Sequence, residues 1–192
     1  MRPRKDENVV RQQIVDEALK LFKIKGLKFS MDELSHNLSI SKKTIYMIFN
    51  DKKDMFNYIL NNIFDSIEEE KAKILKDKSL DTVEKLKRTL ASMPEQYRNF
   101  NFEKLYLLKS KYPTVYENVE KRLESGWEDV IKLMEKGVKE KKIRKTNLVL
   151  FKFIYTSVIE TFFQKNTLVI YDIPYDYALS EVVSIIMDGI VA

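Results

Sequence analysis

Apolar residues recur along this chain at intervals of three and four, the spacing that gathers them on one face of an α-helix. From Val9 to Lys25, the residues Val10, Ile14, Ala18, Leu21 and Phe22 form one such stripe. Gly26 follows, where a left-handed C-terminal cap is expected. A second helix is predicted to start at Ser30, whose hydroxyl can accept from free amides while Glu33 completes a capping box. Its buried face is Met31, Leu34 and Leu38. Ser41 is placed to cap a short third helix from Lys42 to Phe49, and Asp51 to cap a long fourth one running to about Leu75. Beyond a polar linker from Lys76 to Asp81, the pattern predicts helices at about 82–93, 100–111, 114–141, 147–165 and 175–191. The breaks fall at Met93-Pro94, Tyr112-Pro113, Lys142 to Thr146 and Asn166 to Pro174. Leu168 to Tyr171 is β-prone, but one short run between helices does not make a sheet. The expected fold is all-α, with about nine helices.

Composition supports this and removes several chemistries. Only four glycines and four prolines occur in 192 residues, so long helices are favoured over turn-rich sheets. There are no cysteines, which excludes disulfides, thiolate nucleophiles and Cys-ligated zinc. The first residues, Met1-Arg2-Pro3-Arg4-Lys5-Asp6-Glu7, are basic but no apolar run follows, so no secretory signal is read there. The most apolar stretch, Leu148 to Phe163, is interrupted by Lys152 and Glu160 and is too short to cross a bilayer comfortably. A soluble, cytoplasmic protein without a membrane partner is expected.

The net charge of +5 is unevenly placed. Residues 1–53 hold 12 Lys/Arg against 7 Asp/Glu, whereas the rest of the chain holds 22 of each. A basic head on a neutral body suits a polyanion partner for the head alone, although an excess this small also arises by chance. The head has an internal logic as well. Leu34 and Leu38 lie one turn apart on the second helix, Ile40 fills the following turn, and Ile45 and Phe49 lie one turn apart on the third. With Ile14, Ala18 and Phe22 they can bury a small core, leaving Lys42, Lys43, Thr44, Tyr46 and Met47 outward. Three helices with a tight turn between the second and third match a helix-turn-helix, whose third helix enters the major groove. The competing reading is three packed helices with a solvated lysine face. The chain divides on this basis into a head, residues 1–53, and a helical body, residues 54–192.

The run Ile14-x-x-x-Ala18-Leu19-x-Leu21-Phe22-x-x-x-Gly26, then Met31-x-x-Leu34 and Ile40-Ser41-x-x-Thr44-Ile45-Tyr46-x-x-Phe49-x-x-Lys52, resembles the N-terminal signature of tetracycline-repressor (TetR) family regulators. The resemblance covers roughly residues 10–56; the remaining two-thirds matches only in helical architecture. It implies that Ser30, Ser41, Thr44 and Tyr46 contact phosphates and that Lys52 places its ammonium on the DNA backbone. Lys42 and Lys43 would add base or phosphate contacts, and Arg2, Arg4 and Lys5 would reach a minor groove as a flexible arm. Three positions depart from the usual pattern. Ser39 stands where the turn commonly has Gly, so a left-handed backbone there costs a little. Lys43 replaces a small residue and Ile48 a histidine, which puts the exact base contacts in doubt.

The resemblance also implies a body that binds a small effector in an internal cavity and forms a homodimer through its last two long helices. The sequence bears independently on the second point. Phe151, Tyr155, Val158, Ile159 and Phe162 form one stripe of the penultimate helix, while Val149, Leu150, Phe153 and Ile154 spread around the rest. The last helix offers Leu179, Val182, Val183 and Ile186, more than one face needs. Helices apolar nearly all round must be covered on more than one side, either by a second subunit or within one. Candidate cavity residues are Met93, Tyr97, Phe102, Tyr106, Trp127, Met134, Tyr155 and Phe163, which suit a largely apolar ligand or an ordinary core equally. Glu160, within an apolar helix, meets either a cationic ligand, a buried basic partner or solvent at a groove.

Other classes fit less well. The single histidine, His36, lies on the second helix, and no Gly-rich phosphate loop, metal-ligand spacing or nucleophile elbow occurs. No catalytic residue, cofactor or metal is expected. A helical adaptor that binds another protein would not need the basic, outward-facing head. The expectation is a dimeric DNA-binding regulator, most simply a repressor released from a palindromic double-stranded operator by an effector. The effector and the operator sequence are not legible here.

Overall fold

A computed structural model describes residues 7–97 and 102–192. Among them are eleven α-helical segments: α1 Glu7–Lys25, α2 Met31–Asn37, α3 Lys42–Tyr46, α4 Lys52–Lys76, α5 Thr82–Leu90, α6 Tyr106–Lys111, α7 Pro113–Glu124, α8 Glu128–Lys139, α9 Leu148–Gln164, α10 Thr167–Ile170 and α11 Tyr175–Asp188. The chain is all-α.

Helix starts follow local chemistry. Ser30, Ser41 and Asp51 cap α2, α3 and α4, accepting from the amides of Glu33 (3.1 Å), Thr44 (3.0 Å) and Asp54 (2.7 Å). Asp81 and Asn147 do the same for α5 and α9. Each satisfies an amide that the helix itself leaves free. The Glu33 carboxylate is taken by Lys25 rather than used to complete a capping box.

Several boundaries differ from the sequence pattern. The run expected at 114–141 is two helices, because Gly126 adopts φ +72° between α7 and α8. A side chain there would be strained and would press on the Glu68 carboxylate. The stretch expected at 100–111 is helical only as α6, preceded by a 3₁₀ turn over Phe102–Lys104. The third helix ends at Tyr46, and Ile48 and Phe49 continue in a turn. Leu168 to Tyr171, β-prone in isolation, forms the single turn α10, with Leu168 buried.

The head closes as its spacing predicts. Ile14, Ala18, Phe22, Leu34, Ile45 and Phe49 are all buried, while Leu38 and Ile40 are partly covered at its edge. Ser39 takes φ +52°, the left-handed conformation expected where glycine is common. α4 then joins head to body. Met55, Phe56 and Ile59 are buried near the head, and Leu60 and Ile63 further on. The Phe56 ring packs against Phe22 (5.3 Å between centroids), Phe29 (6.2 Å) and Tyr112 (6.3 Å), one partner from each of α1, the turn after it and the α6–α7 corner. On its other flank α4 is tied to α7: the Asn118 amide donates to Asn57 (3.0 Å) and Asn61 (2.9 Å), and Arg122 pairs with Asp65 at 2.5 Å.

Phe56→Ala is therefore expected to cost about 3–5 kcal/mol of unfolding free energy, as for a fully buried aromatic ring. Urea denaturation of the full chain measures this, and a loss within the ±0.5 kcal/mol typical of surface changes would refute the placement of this ring.

Candidate functional site

The helix-turn-helix presents a short, cationic ridge. Ser41 caps α3 and its hydroxyl also lies 2.9 Å from that of Thr44, so two of the expected phosphate contacts are pre-oriented by each other. Ile45 points into the core and fixes the helix rotation. Lys42, Lys43, Tyr46 and Met47 then fall outward, Met47 with 77% of its surface exposed. A large apolar side chain standing free beside two lysines suits contact with a base edge or sugar. Lys42 is ion-paired with Asp32 of α2, so it must exchange that partner to reach an anion. Ser30 is exposed at the start of α2. Arg2, Arg4 and Lys5, the expected minor-groove arm, lie outside the described residues.

Lys52 behaves differently from the expectation that it lies on the DNA backbone. Its ammonium donates to the carbonyls of Leu27 (2.8 Å) and Phe29 (2.5 Å) and sits 3.5 Å from the centroid of the Phe29 ring. Burial pushes its pKa down to about 8, with Lys111 acting in the same direction and Glu33 opposing. This lysine clamps the turn before α2 onto the start of α4. Its role is to position the head.

In the body, a cavity of about 80 Å³ lies between α4, the end of α5, α8, α9 and α11. Of the expected residues, Met93, Phe102, Trp127, Tyr155 and Phe163 line it. Tyr97, Tyr106, Met134 and Glu160 do not. Tyr97 and Tyr106 are half-buried elsewhere, and Met134 is part of the solid core on α8. Glu160 is only partly covered and faces the acidic side chains of α7. Burial raises its carboxyl pKa, Glu120 and Glu124 raise it further, and Lys109 opposes them. Sequence reasoning missed Thr89 and Ser92, which also border the cavity, and the wall supplied by Leu60, Ile63 and Ile67 of α4. Thr89 was visible in principle, because it continues the apolar stripe of Leu86 and Leu90. Burial pushes the Tyr155 and Tyr175 phenols up, so both are neutral. Tyr155 donates to the Leu90 carbonyl at 2.7 Å, which pins the end of α5 to α9.

The stripe expected to pair two subunits is turned the other way. Phe151, Ile159, Leu179 and Val183 are buried inside the subunit, and Tyr155, Val158, Phe162, Val182 and Ile186 are at least partly covered there. The exposed apolar face belongs to the residues between them: Val149, Leu150, Phe153 (66% exposed) and Ile154 on α9, and Ile185 (69% exposed) on α11. Leu150, Ile154 and Ile185 border one groove of about 370 Å³ between the two helices. A helix apolar all round had two faces to offer, and the subunit core took the named one.

No family model matches the chain. The chain is 24% identical over 181 residues to a Bacillus subtilis (strain 168) protein named as an uncharacterized HTH-type transcriptional regulator, YvaF, covering 94% of this chain and 95% of that one. It is similar in structure to a transcriptional regulator of the TetR/AcrR family from Thermobifida fusca YX-ER1. That similarity has a TM-score of 0.67 at 21% identity and covers 95% of this chain and 98% of the other. A putative transcriptional regulator from Saccharomonospora viridis, solved in complex with choline, gives a TM-score of 0.71 at 14% identity, covering 96% and 99%. These structural likenesses establish the fold.

The Lys52 clamp has a pH signature. Its proton is held more weakly in the folded chain, at about 8, than at the ordinary value of 10.5. The unfolded chain therefore binds more protons in this interval, and stability rises as pH climbs above about 8. The rise is clearest from about pH 8 to 9.5, before tyrosines of the unfolded chain ionise near 10. Urea midpoints across this range should increase for the native sequence and lose that increase in Lys52→Met. An unchanged slope in the variant would show that the ammonium is not buried.

Proposed function

We propose that this chain, which shares its fold with TetR/AcrR-family regulators, is itself a helix-turn-helix regulator that acts as a homodimer on palindromic operator DNA and is released by a small, largely apolar effector. The observation that carries the reading is the exposed ridge of α3. Lys42, Lys43, Tyr46 and Met47 project from a short helix whose rotation is locked by Ile45 and whose start is fixed by Ser41. Ser30, Ser41, Thr44 and Tyr46 supply phosphate contacts, and Lys42 and Lys43 supply charge at the groove. The charge surplus of residues 1–53 supports the same partner. Binding DNA, the protein works in the cytoplasm, and repression is the simplest outcome of occupying an operator.

Two copies are needed to read a palindrome, because each contributes one reading helix to half-sites about one DNA turn apart. The exposed apolar residues of α9 and α11 are the surface that joins them, with Leu150, Ile154 and Ile185 gathered along one groove. The effector acts through α4, which lines the cavity with Leu60 and Ile63 and reaches the head at Lys52. A ligand that favours a different α4 position shifts the spacing of the two heads and lowers DNA affinity by its preference between the two states.

Fluorescence anisotropy with duplex DNA should reveal binding whose affinity falls steeply with salt. Lys43→Ala, which removes an exposed charge, should reduce the slope by about one. Met47→Ala should weaken a selected site while leaving the slope unchanged. Absence of binding at every salt concentration would sink the proposal in favour of a protein-binding adaptor. For the dimer, Phe153→Asp with Ile185→Asp should convert a two-subunit species to a single folded subunit in sedimentation at micromolar concentration. An unaltered dimer would place the interface elsewhere.

A further inference from the structure

Two lysine-bearing segments, distant in sequence, meet beside the head. Residues 22–31 hold Lys23, Lys25 and Lys28, and residues 104–116 hold Lys104, Lys109 and Lys111; neither run contains an aspartate or glutamate. The fold presses the two together. The Lys104 ammonium donates to the Lys23 carbonyl at 2.7 Å, and Leu107 of α6 packs against Gly26. Lys111 lies near enough to Lys52, which holds the carbonyls of Leu27 and Phe29, to disfavour its charge. Glu33 of α2 answers Lys25. Lys23, Lys28 and Lys111 are exposed, and among the described residues none of them has an ion-pair partner. Gathering like charges without counter-charges works against the compact state. Uncharged polar residues would keep both surfaces in water without that repulsion, so the strip is suited to an anion from outside.

The strip adjoins the α3 ridge by way of α2. Asp32, in the first turn of α2, pairs with Lys42 at the start of α3, and its neighbour Glu33 pairs with Lys25. The first turn of α2, capped by Ser30, therefore stands between the ridge and the lysine strip. We propose that Lys23, Lys28 and Lys111 hold the phosphate backbone of duplex DNA beside the half-site, outside the bases that α3 reads, so that α6 of the body shares in the DNA interface. This rests on the DNA-binding reading above and carries it beyond the helix-turn-helix. A lysine ammonium is a compact point charge that needs no fixed geometry, and each DNA strand offers a phosphate about every 3.4 Å. Such contacts add affinity and fix register without reading sequence. Ile24, 74% exposed between Lys23 and Lys25, gives the strip one apolar member of the kind an anionic membrane surface accepts. Adjacency to Ser30 and Lys42 favours DNA.

The full-length protein first selects a duplex from a random-sequence pool, which defines the bases it reads. Two labelled duplexes are then compared: those bases alone, and the same bases with about one further helical turn of unselected sequence on each side. Anisotropy across a salt series should show the longer duplex bound about fivefold more tightly and with the steeper salt dependence. In Lys23→Gln/Lys28→Gln/Lys111→Gln that gain should vanish. Its slope on the longer duplex should become shallower by about 0.9 for each lysine that sat on a phosphate, with binding of the shorter duplex changed less than about threefold. Lys76→Gln/Lys78→Gln/Lys139→Gln removes the same charge from exposed positions, two of them at the far end of α4, about 36 Å from Lys52, and should keep the gain. The first variant should unfold at the same or a higher temperature than the parent, since it loses exposed, mutually repelling charges. Equal binding of the two duplexes by the parent, or a gain that survives in the first variant or is lost as fully in the second, would overturn the flanking contact and leave the helix-turn-helix reading intact. A pool from which no duplex is recovered would overturn both. Equal binding of the duplexes together with capture by phosphatidylserine vesicles, abolished in the first variant, would assign the strip to a membrane surface instead.

Discussion

The structure depends on α4 being buried along one stripe by a core that runs from under the head into the body. Met55, Phe56 and Ile59 belong to the packing under the head, and Leu60 and Ile63 form a wall of the body cavity, yet all five lie on one continuous stripe. From Lys52 to Ile63 the helix rises about 16 Å. Over that distance it is held at its start by the Lys52 clamp and Phe56, and further along by Asn118 and Arg122. A close-packed helix does not deform gradually under such constraints; it moves as a rod or stays where it is. The head and body consequently share one core and move together, although their charge balance differs.

A second seam works beside α4. Gly26 takes φ +57° at the end of α1, and the Leu107 side chain of α6 packs so near that a Cβ there would approach it to 2.9 Å. The Lys104 ammonium donates to the Lys23 carbonyl at 2.7 Å, again joining body to head. Phe102 and Leu105, in the same segment, line the cavity. The stretch from Phe102 to Tyr112 therefore touches the cavity at one end and the underside of the head further along. Displacing the chamber wall loads both α4 and this segment.

The head was legible in the sequence because its information is local. Ile14, Phe22, Leu34, Ile45 and Phe49 repeat at helical spacing, and each start carries its own cap, so pattern and chemistry agree. The left-handed Ser39 was implied by the resemblance, which commonly has glycine at that position. What was not legible depends on contacts distant in sequence. Lys52 reads as a phosphate ligand until the carbonyls of Leu27 and Phe29, 25 and 23 residues earlier, are seen to hold it. The helix break at Gly126 is masked because apolar spacing continues across it from Val119 to Val130. In α9 periodicity cannot choose a face at all: Phe151 and Phe153 are equally apolar, and only the packing of α9 against α6, α7 and α11 sends one inward and the other to the surface. Aromatic content likewise did not separate Trp127, on the cavity, from Tyr106, off it.

Besides the exposed apolar face of α9 and α11, two further places depart from the rule that apolar groups are covered and polar groups paired. On α3 a methionine and a tyrosine stand in solvent among lysines, where polar residues would suffice for solubility. In the body the hydroxyls of Thr89 and Ser92 are buried without hydrogen-bond partners, where methyl groups would pack without cost. Through most of the helix-turn-helix local preference and tertiary environment agree, which is what a chain under selection for stability alone would show throughout. A departure from that agreement lowers stability and is expected only where another requirement outweighs it. The two departures lie on opposite ends of the same helix assembly, one on a surface and one in an enclosure, and α4 connects them. A molecule that must recognise one partner outside and another inside, and relay between them, needs its exceptions in those two positions and a rigid element running from the first to the second.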